Sequence, residues 1–301
     1  VDVVKTYAEL LRIRDNFAGG RYPFLIVLST DGLGKSVFFQ NVDQIAYTKC
    51  SGSPVGIYQW AFEHKEASCM CFDDMRNLFS TVQGRDLVKA LGNDSPQKIV
   101  AWQKQNKELQ AAGIPRQYSI TSSICFLLND LPAHNSLDMD AIYGRAKTVF
   151  FVPSVYEVHQ YVMAWWPRRH PAHTDITDFI GENLRRITRP SIRWYTDAIR
   201  EKNAGEDWRH WLMVQWENAD PLLSIIADIR DAGLKSEVQI LAEWKRRTRG
   251  YKGHEHGLGR TWYFRCLKQY REAQGLLDVQ GRVHPSTAGD WPDTHGATSV
   301  Q

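Results

Sequence analysis

The sequence predicts an α/β protein: a parallel sheet with flanking helices in the first half, followed by an all-helical part. Three observations predict it. The runs "FLIVL", "ASCMCF", "SICFLL" and "KTVFF" are apolar with little alternation, as strands buried on both faces are. Segments of helical spacing separate them, and strand–helix alternation is the pattern of a parallel sheet. From Ser154 onward almost every segment has helical period.

In chain order, "VVKTYAELLRIRDNF" reads as a helix that stops at Gly19-Gly20, which makes 1–19 an N-terminal helix. "FLIVL" is a buried strand, followed by a loop and a helix from about Lys35. "VGIYQWAF" reads as a strand and "ASCMCF" as a short buried one. "DDMRNLFSTVQGRDLVKALG" is mostly helical, "IVAW" a small strand and "SSICFLLN" a strong one. "LDMDAIYGRA" is helical, and "KTVFFVP" is a strand stopped by Pro153. The expected core spans 20–153. A helical lid or subdomain over 154–219 holds "VYEVHQYVMAWW", "TDFIGENLRRI" and "SIRWYTDAIREKNAG". A basic helical part covers 220–280, and 281–301 has the Pro-, Gly-, Ser- and Thr-rich composition of a disordered tail.

At 301 residues, 43% apolar and 24% charged, the chain has an ordinary globular composition. Its net charge of +3 excludes a polycation, so any nucleic-acid surface has to be local. Cys50, Cys69, Cys71, Cys125 and Cys266 show no C-x-x-C spacing, and three lie in apolar runs. They read as reduced thiols of a cytoplasmic protein. No apolar run reaches the roughly 18 residues of a membrane span, and no secretory pattern opens the sequence. No membrane partner is expected.

The stretch "FLIVLSTDGLGKSVFF" carries chemistry. The phosphate-loop pattern G-x-x-x-x-G-K-[ST] is met at Gly34, Lys35 and Ser36, with Ser29 where the first glycine should fall. Such a loop needs a supporting strand, glycines that let backbone N–H groups turn toward phosphate, and a helix start facing the anion. Thr30, Asp31, Gly32, Leu33, Gly34 and Val37 would surround the nucleotide's phosphates. Lys35 would reach the β- and γ-phosphates, and Ser36 would join a Mg²⁺ shell. A strand–turn–helix with a solvent-facing lysine is the plain alternative.

Mg²⁺ in such a site also needs an acidic residue ending a neighbouring strand. Asp73 and Asp74 follow "CMCF", and adjacent carboxylates repel unless a cation or proton lies between them. Asp73 would orient Mg²⁺ through water, and Asp74 would act on the attacking water; a helix N-cap accounts for one aspartate more readily than two. Asn129 follows "SICFLL". If that strand lies beside the Asp73 strand, Asn129 projects into the same crevice and could orient the water or touch the γ-phosphate. Otherwise it opens a turn before Leu131-Pro132.

In this order the motifs resemble the AAA+ P-loop ATPases: Walker A at "STDGLGKS", Walker B at "CMCFDD" and sensor 1 at Asn129, over roughly residues 20 to 200. The resemblance implies a P-loop NTPase fold, ATP and Mg²⁺ as cofactors, and a homo-oligomer, in ring form. It implies an arginine finger at Arg145, reaching a neighbour's ATP to stabilise transition-state charge; a surface helix arginine is the alternative. "RPSIRWY" resembles a sensor 2 segment, with Arg193 the candidate and Arg189 close behind. "LVKALGNDSPQKIVAW" is similar to a region of phage and plasmid replication ATPases, superfamily 3 helicases included, where a lysine helps contact DNA. Lys98 or Lys104 would correspond.

Between Trp244 and Arg271 stand nine basic residues against one acid, Glu255. "SEVQILAEWKRRT", a long glycine-containing loop and "GRTWYFRCLKQYREAQGLL", with Thr261 as N-cap, suggest a helix-turn-helix-like module. Arg260 opens that last helix, and Arg265, Lys268 and Arg271 are spaced to meet DNA phosphates. A solvated basic helix packed on the rest of the protein is the alternative. "HEHGLG" and "RRHPAH" lack a third metal ligand at a recognisable spacing. The function expected is therefore a Mg²⁺-dependent ATPase acting on DNA, of the replication, helicase or mobile-element kind. A P-loop small-molecule kinase and a non-hydrolysing DNA-binding regulator are the competing readings.

Overall fold

A computed structural model describes residues 2–49, 52–103, 106–130, 137–234 and 236–274. Two compact units divide the chain after Val152. The expected tail over 281–301, and with it Lys104 and Cys50, lies outside the described residues.

The first unit is built on β1 (Asp2–Val4), β2 (Phe24–Leu28), β3 (Ile45–Lys49), β4 (Cys69–Asp73), β7 (Ser123–Leu128) and β8 (Lys147–Phe151). They form one six-stranded sheet in the order β1-β8-β2-β7-β4-β3, with every neighbouring pair parallel. A second, antiparallel sheet pairs β5 (Lys98–Ala101) with β6 (Gln117–Ile120). The helices are α1 (Tyr7–Ala18), α2 (Lys35–Gln40), α3 (Pro54–Glu63), α4 (Arg76–Ser80), α5 (Val82–Leu91), α6 (Lys107–Ala111) and α7 (Leu137–Arg145). All residues of β2, β4 and β7 are buried, which explains their unbroken apolar runs. Phe24, Ile26 and Leu28 of β2 pack in one core with Ile57, Leu87 and Ile142 from three helices. Phe126 of β7 stacks on Phe72 with ring centroids 5.1 Å apart.

Two local expectations are corrected here. The chain starts with a strand and only then forms a helix: β1 pairs with β8, and α1 begins after Thr6, which makes a reciprocal capping box with Glu9. "VGIYQWAF" is helical. Ser53 caps it through the Gly56 N–H, Pro54 opens it, and Ile57, Tyr58 and Ala61 share its buried face at helical spacing. "IVAW" belongs largely to the small sheet, and β3 and β6 had no counterpart in the sequence reading.

The second unit is helical: α8 (Val155–Met163), α9 (Trp166–Arg169), α10 (Thr174–Glu182), α11 (Arg193–Asn203), α12 (Trp208–Ala219), α13 (Pro221–Asp231), α14 (Glu237–Arg247) and α15 (Arg260–Ala273). Ser154 caps α8 through the Glu157 N–H. Leu223, Ile226, Trp244, Leu258, Tyr263 and Leu267 belong to one core that joins the last three helices. The long loop between α14 and α15 is tied down by buried Thr248, whose Oγ1 donates to the Trp244 carbonyl and accepts from the Leu258 N–H. Gly257 has φ +77, and a Cβ there would lie 2.1 Å from the Lys245 carbonyl oxygen. Only glycine permits that approach. The cap of α15 is Gly259 and not Thr261. No described helix is long and apolar enough to cross a membrane.

Candidate functional site: the carboxyl edge of the parallel sheet

Strand register sets the site. Leu28 of β2 pairs with Leu128 of β7, and Asp73 of β4 pairs with Leu127. The residues that leave these three strands, Ser29, Asn129 and Asp74, therefore emerge side by side at the carboxyl edge, where open α/β sheets bind ligands. The Ser29 N–H donates to the Leu128 carbonyl and the Asp74 N–H to the Leu127 carbonyl, which extends the ladder to the edge.

The loop after β2 turns through two glycines in the left-handed region, Gly32 at φ +79 and Gly34 at φ +84. Ser29, in place of a first glycine, lies outside the left-handed region, so its Cβ is tolerated. It is buried and its hydroxyl donates to the Thr30 carbonyl. Tyr7 of α1 donates to the Leu33 carbonyl at 3.3 Å and so ties the loop to α1. Leu33 is buried, Asp31 and Gly32 are half-buried, and Thr30 and Val37 are exposed.

Lys35, the first residue of α2, is 5% exposed. Its ammonium donates to the Ser29 carbonyl at 2.6 Å, the Thr30 carbonyl at 3.4 Å and Asn129 Oδ1 at 3.0 Å. Burial pulls its pKa down to about 8, against the opposing pull of Asp73, Asp31, Asp74 and Asp130. The solvent-facing lysine of the plain alternative does not occur. Asn129, the expected sensor, is thus in contact with the lysine ninety-four positions before it.

Asp73 is 5% exposed and accepts two hydrogen bonds on Oδ2, from Ser36 Oγ at 2.5 Å and from the Tyr47 hydroxyl at 2.5 Å. Burial, followed by the bond to Asp73, raises the Tyr47 pKa and keeps the phenol protonated. Tyr47 was not singled out in the sequence, because its strand β3 was not. The available signal was the short, polar-ended "IAYTK" run. Asp74 is exposed and sits at φ +60, a conformation that Asp tolerates better than most residues. Asp130 next to Asn129 pairs with Arg76 on the surface.

Other expected residues fall elsewhere. Arg145 ends α7 and is exposed. Lys147 pairs with Leu25, so Arg145 stands at the amino edge of the sheet, about 13 Å of strand from the carboxyl edge. Lys98 is 2% exposed, and its ammonium donates to the carbonyls of Pro23 and Ser122, so the expectation of a DNA-contacting Lys98 is corrected. Burial lowers its pKa to about 8. Arg193 opens α11 in the second unit and is exposed, as is Arg189.

Within the second unit part of the basic charge is engaged in ion pairs. Arg246 and Arg247 pair with Glu243, Arg247 also with Asp228, Arg260 with Glu237 and Lys268 with Glu272. Arg265 lies over the Trp262 ring at 5.1 Å and is exposed. Arg271 is half-buried, and burial lowers its pKa, so the expected face of Arg265, Lys268 and Arg271 is reduced to its first two members.

No protein-family model and no curated protein matches this chain. The fold and site define it as an α/β protein with a wholly parallel six-stranded sheet, flanking helices and a helical C-terminal part.

Proposed function

We propose that this protein binds ATP with Mg²⁺ at the carboxyl edge of its sheet and hydrolyses it, as a P-loop ATPase of the AAA+ kind. One observation carries the reading: Lys35 and Ser36, which open α2 just after the loop, bond Asn129 immediately after β7 and Asp73 at the end of β4. A buried cation, a hydroxyl and a carboxylate gathered beside two left-handed glycines suit a polyphosphate and its metal.

The residues fit Mg²⁺. Ser36 gives its one hydroxyl proton to Asp73, which leaves Oγ with lone pairs to offer a cation. Asp73 would hold the ion through water, and the ion would neutralise charge on the phosphates. Lys35 has its ammonium on loop carbonyls and would exchange them for phosphate oxygens. Because α2 has only six residues, the backbone N–H groups of the loop and Lys35, more than a helix dipole, would provide the attraction. Asp74 would position or deprotonate the attacking water, and Asn129, released by Lys35, would orient it. Arg145, at the opposite edge, would serve only a neighbouring subunit's site, which ties activity to a homo-oligomer, in ring form.

Action on DNA, the second half of the reading, rests on exposed Arg265 and Lys268 of α15, with Lys268 giving up its exposed pair with Glu272; Arg246, Arg247 and Arg260 are paired within their own unit. The test is ATP hydrolysis by wild type, Lys35→Ala and Asp74→Ala. Wild type is expected to turn over ATP with Mg²⁺, Lys35→Ala to lose binding, and Asp74→Ala to bind without turnover. A wild-type protein that neither binds nor hydrolyses ATP overturns the proposal.

A further inference from the structure

The Tyr47–Asp73 contact has no part in the catalytic scheme above, yet its geometry is specific. β3 is an edge strand of the sheet and, among the described residues, pairs only with β4. Tyr47 lies opposite Cys71 and Lys49 opposite Asp73, so the phenol must run two residues along the strand to reach the carboxylate. Side chains two apart share a face, which makes that reach possible for a tyrosine and for few shorter residues. A half-buried tyrosine on an edge strand ordinarily leaves its hydroxyl in water. This one gives it to the same oxygen, Oδ2, that Ser36 uses. Asp73 Oδ1 accepts no hydrogen bond from the described residues.

One donor alone would let the carboxylate turn about its side-chain bonds. Two donors meeting on one oxygen fix its plane and leave the other oxygen for a metal-bound water. We infer that Tyr47 is a positioning residue for Asp73, setting the carboxylate for Mg²⁺ that arrives with nucleotide. This inference rests on the phosphate-site reading. Ser36 serves both the metal and Asp73 in that state, so the bond that stays committed to the carboxylate is the tyrosine's.

The experiment compares wild type, Tyr47→Phe and Tyr47→Leu in binding a fluorescent, non-hydrolysable ATP analogue, first in EDTA and then with increasing Mg²⁺. Tyr47→Phe keeps the ring and loses only the hydroxyl. Its analogue affinity in EDTA is expected to match wild type, and its thermal midpoint without nucleotide to fall only by the cost of one lost hydrogen bond. Its half-saturating Mg²⁺ is expected to rise about tenfold, the scale of one lost hydrogen bond to a charged group. An unchanged Mg²⁺ requirement in Tyr47→Phe, with a defect only in Tyr47→Leu, assigns the ring to packing and overturns the inference. An equal loss of affinity in EDTA and in Mg²⁺ overturns it too. Failure of wild type to bind the analogue at all would instead overturn the phosphate-site reading, and this inference with it.

Discussion

Replacing Lys35 by methionine separates a functional lysine from a structural one. The ammonium is buried, and its pKa stands at about 8 against an ordinary 10.5. That difference disfavours the charged form by about 3 kcal/mol at 1.36 kcal/mol per unit. Methionine relieves this cost but removes the donor from the Ser29 and Thr30 carbonyls and from Asn129. Unmet acceptors cost about 1–3 kcal/mol when they stay buried, and Thr30 is exposed and rehydrates. The two effects nearly cancel, so Lys35→Met is expected to unfold in urea within about 1 kcal/mol of wild type. With an ATP analogue and Mg²⁺ at about 100 times the wild-type Kd, wild type gains about 2.7 kcal/mol. A variant that binds about 100-fold more weakly, after losing charge-assisted bonds to phosphate, gains only about 0.4 kcal/mol. Urea unfolding with and without the analogue reads both quantities. A loss above about 2 kcal/mol without nucleotide, or full stabilisation with it, would refute the reasoning.

Other perturbations bear on separate parts of the molecule. Lys98 has a folded pKa of about 8 against 10.5, so between those values the folded chain holds fewer protons than the unfolded one and stability rises with pH. Relative to Lys98→Met, wild type is expected to gain up to about 3 kcal/mol from pH 8 to 10.5; parallel pH profiles of urea unfolding would contradict this. Arg145→Ala is expected to abolish turnover while leaving nucleotide binding intact, and mixing it with Asp74→Ala subunits should restore activity. No recovery on mixing would remove Arg145 from a neighbour's site. Gly257→Ala drives a Cβ against the Lys245 carbonyl at positive φ and is expected to destabilise the second unit by about 2–4 kcal/mol, read by circular dichroism; a neutral effect would mean that the loop simply shifts.

The sheet was legible where burial was complete. β2, β4 and β7 bury every residue, so their sequences are nearly continuous apolar runs. β3 escaped because it is an edge strand whose middle residues are half-buried, which leaves "IAYTK" without a distinctive pattern. "VGIYQWAF" has as many apolar residues as a buried strand, and only the Ser53-Pro54 start marks it as a helix. Composition cannot choose between periods of 2 and 3.6 over eight residues.

By itself the sequence determined the Gly-Leu-Gly-Lys-Ser string, the paired aspartates and the asparagine, each following an apolar run, because these are local in the chain. Tertiary structure decided which of them meet. The strand order places β7 between β2 and β4, and only that order brings Asn129 to Lys35 and Asp73 to Ser36. The same order turned Tyr47 onto Asp73 and sent Arg145 to the far edge. It also buried Lys98, since no lysine announces in sequence whether its ammonium will find water or two carbonyls. Side-chain identity is written residue by residue, whereas burial and pairing depend on contacts between segments tens of residues apart.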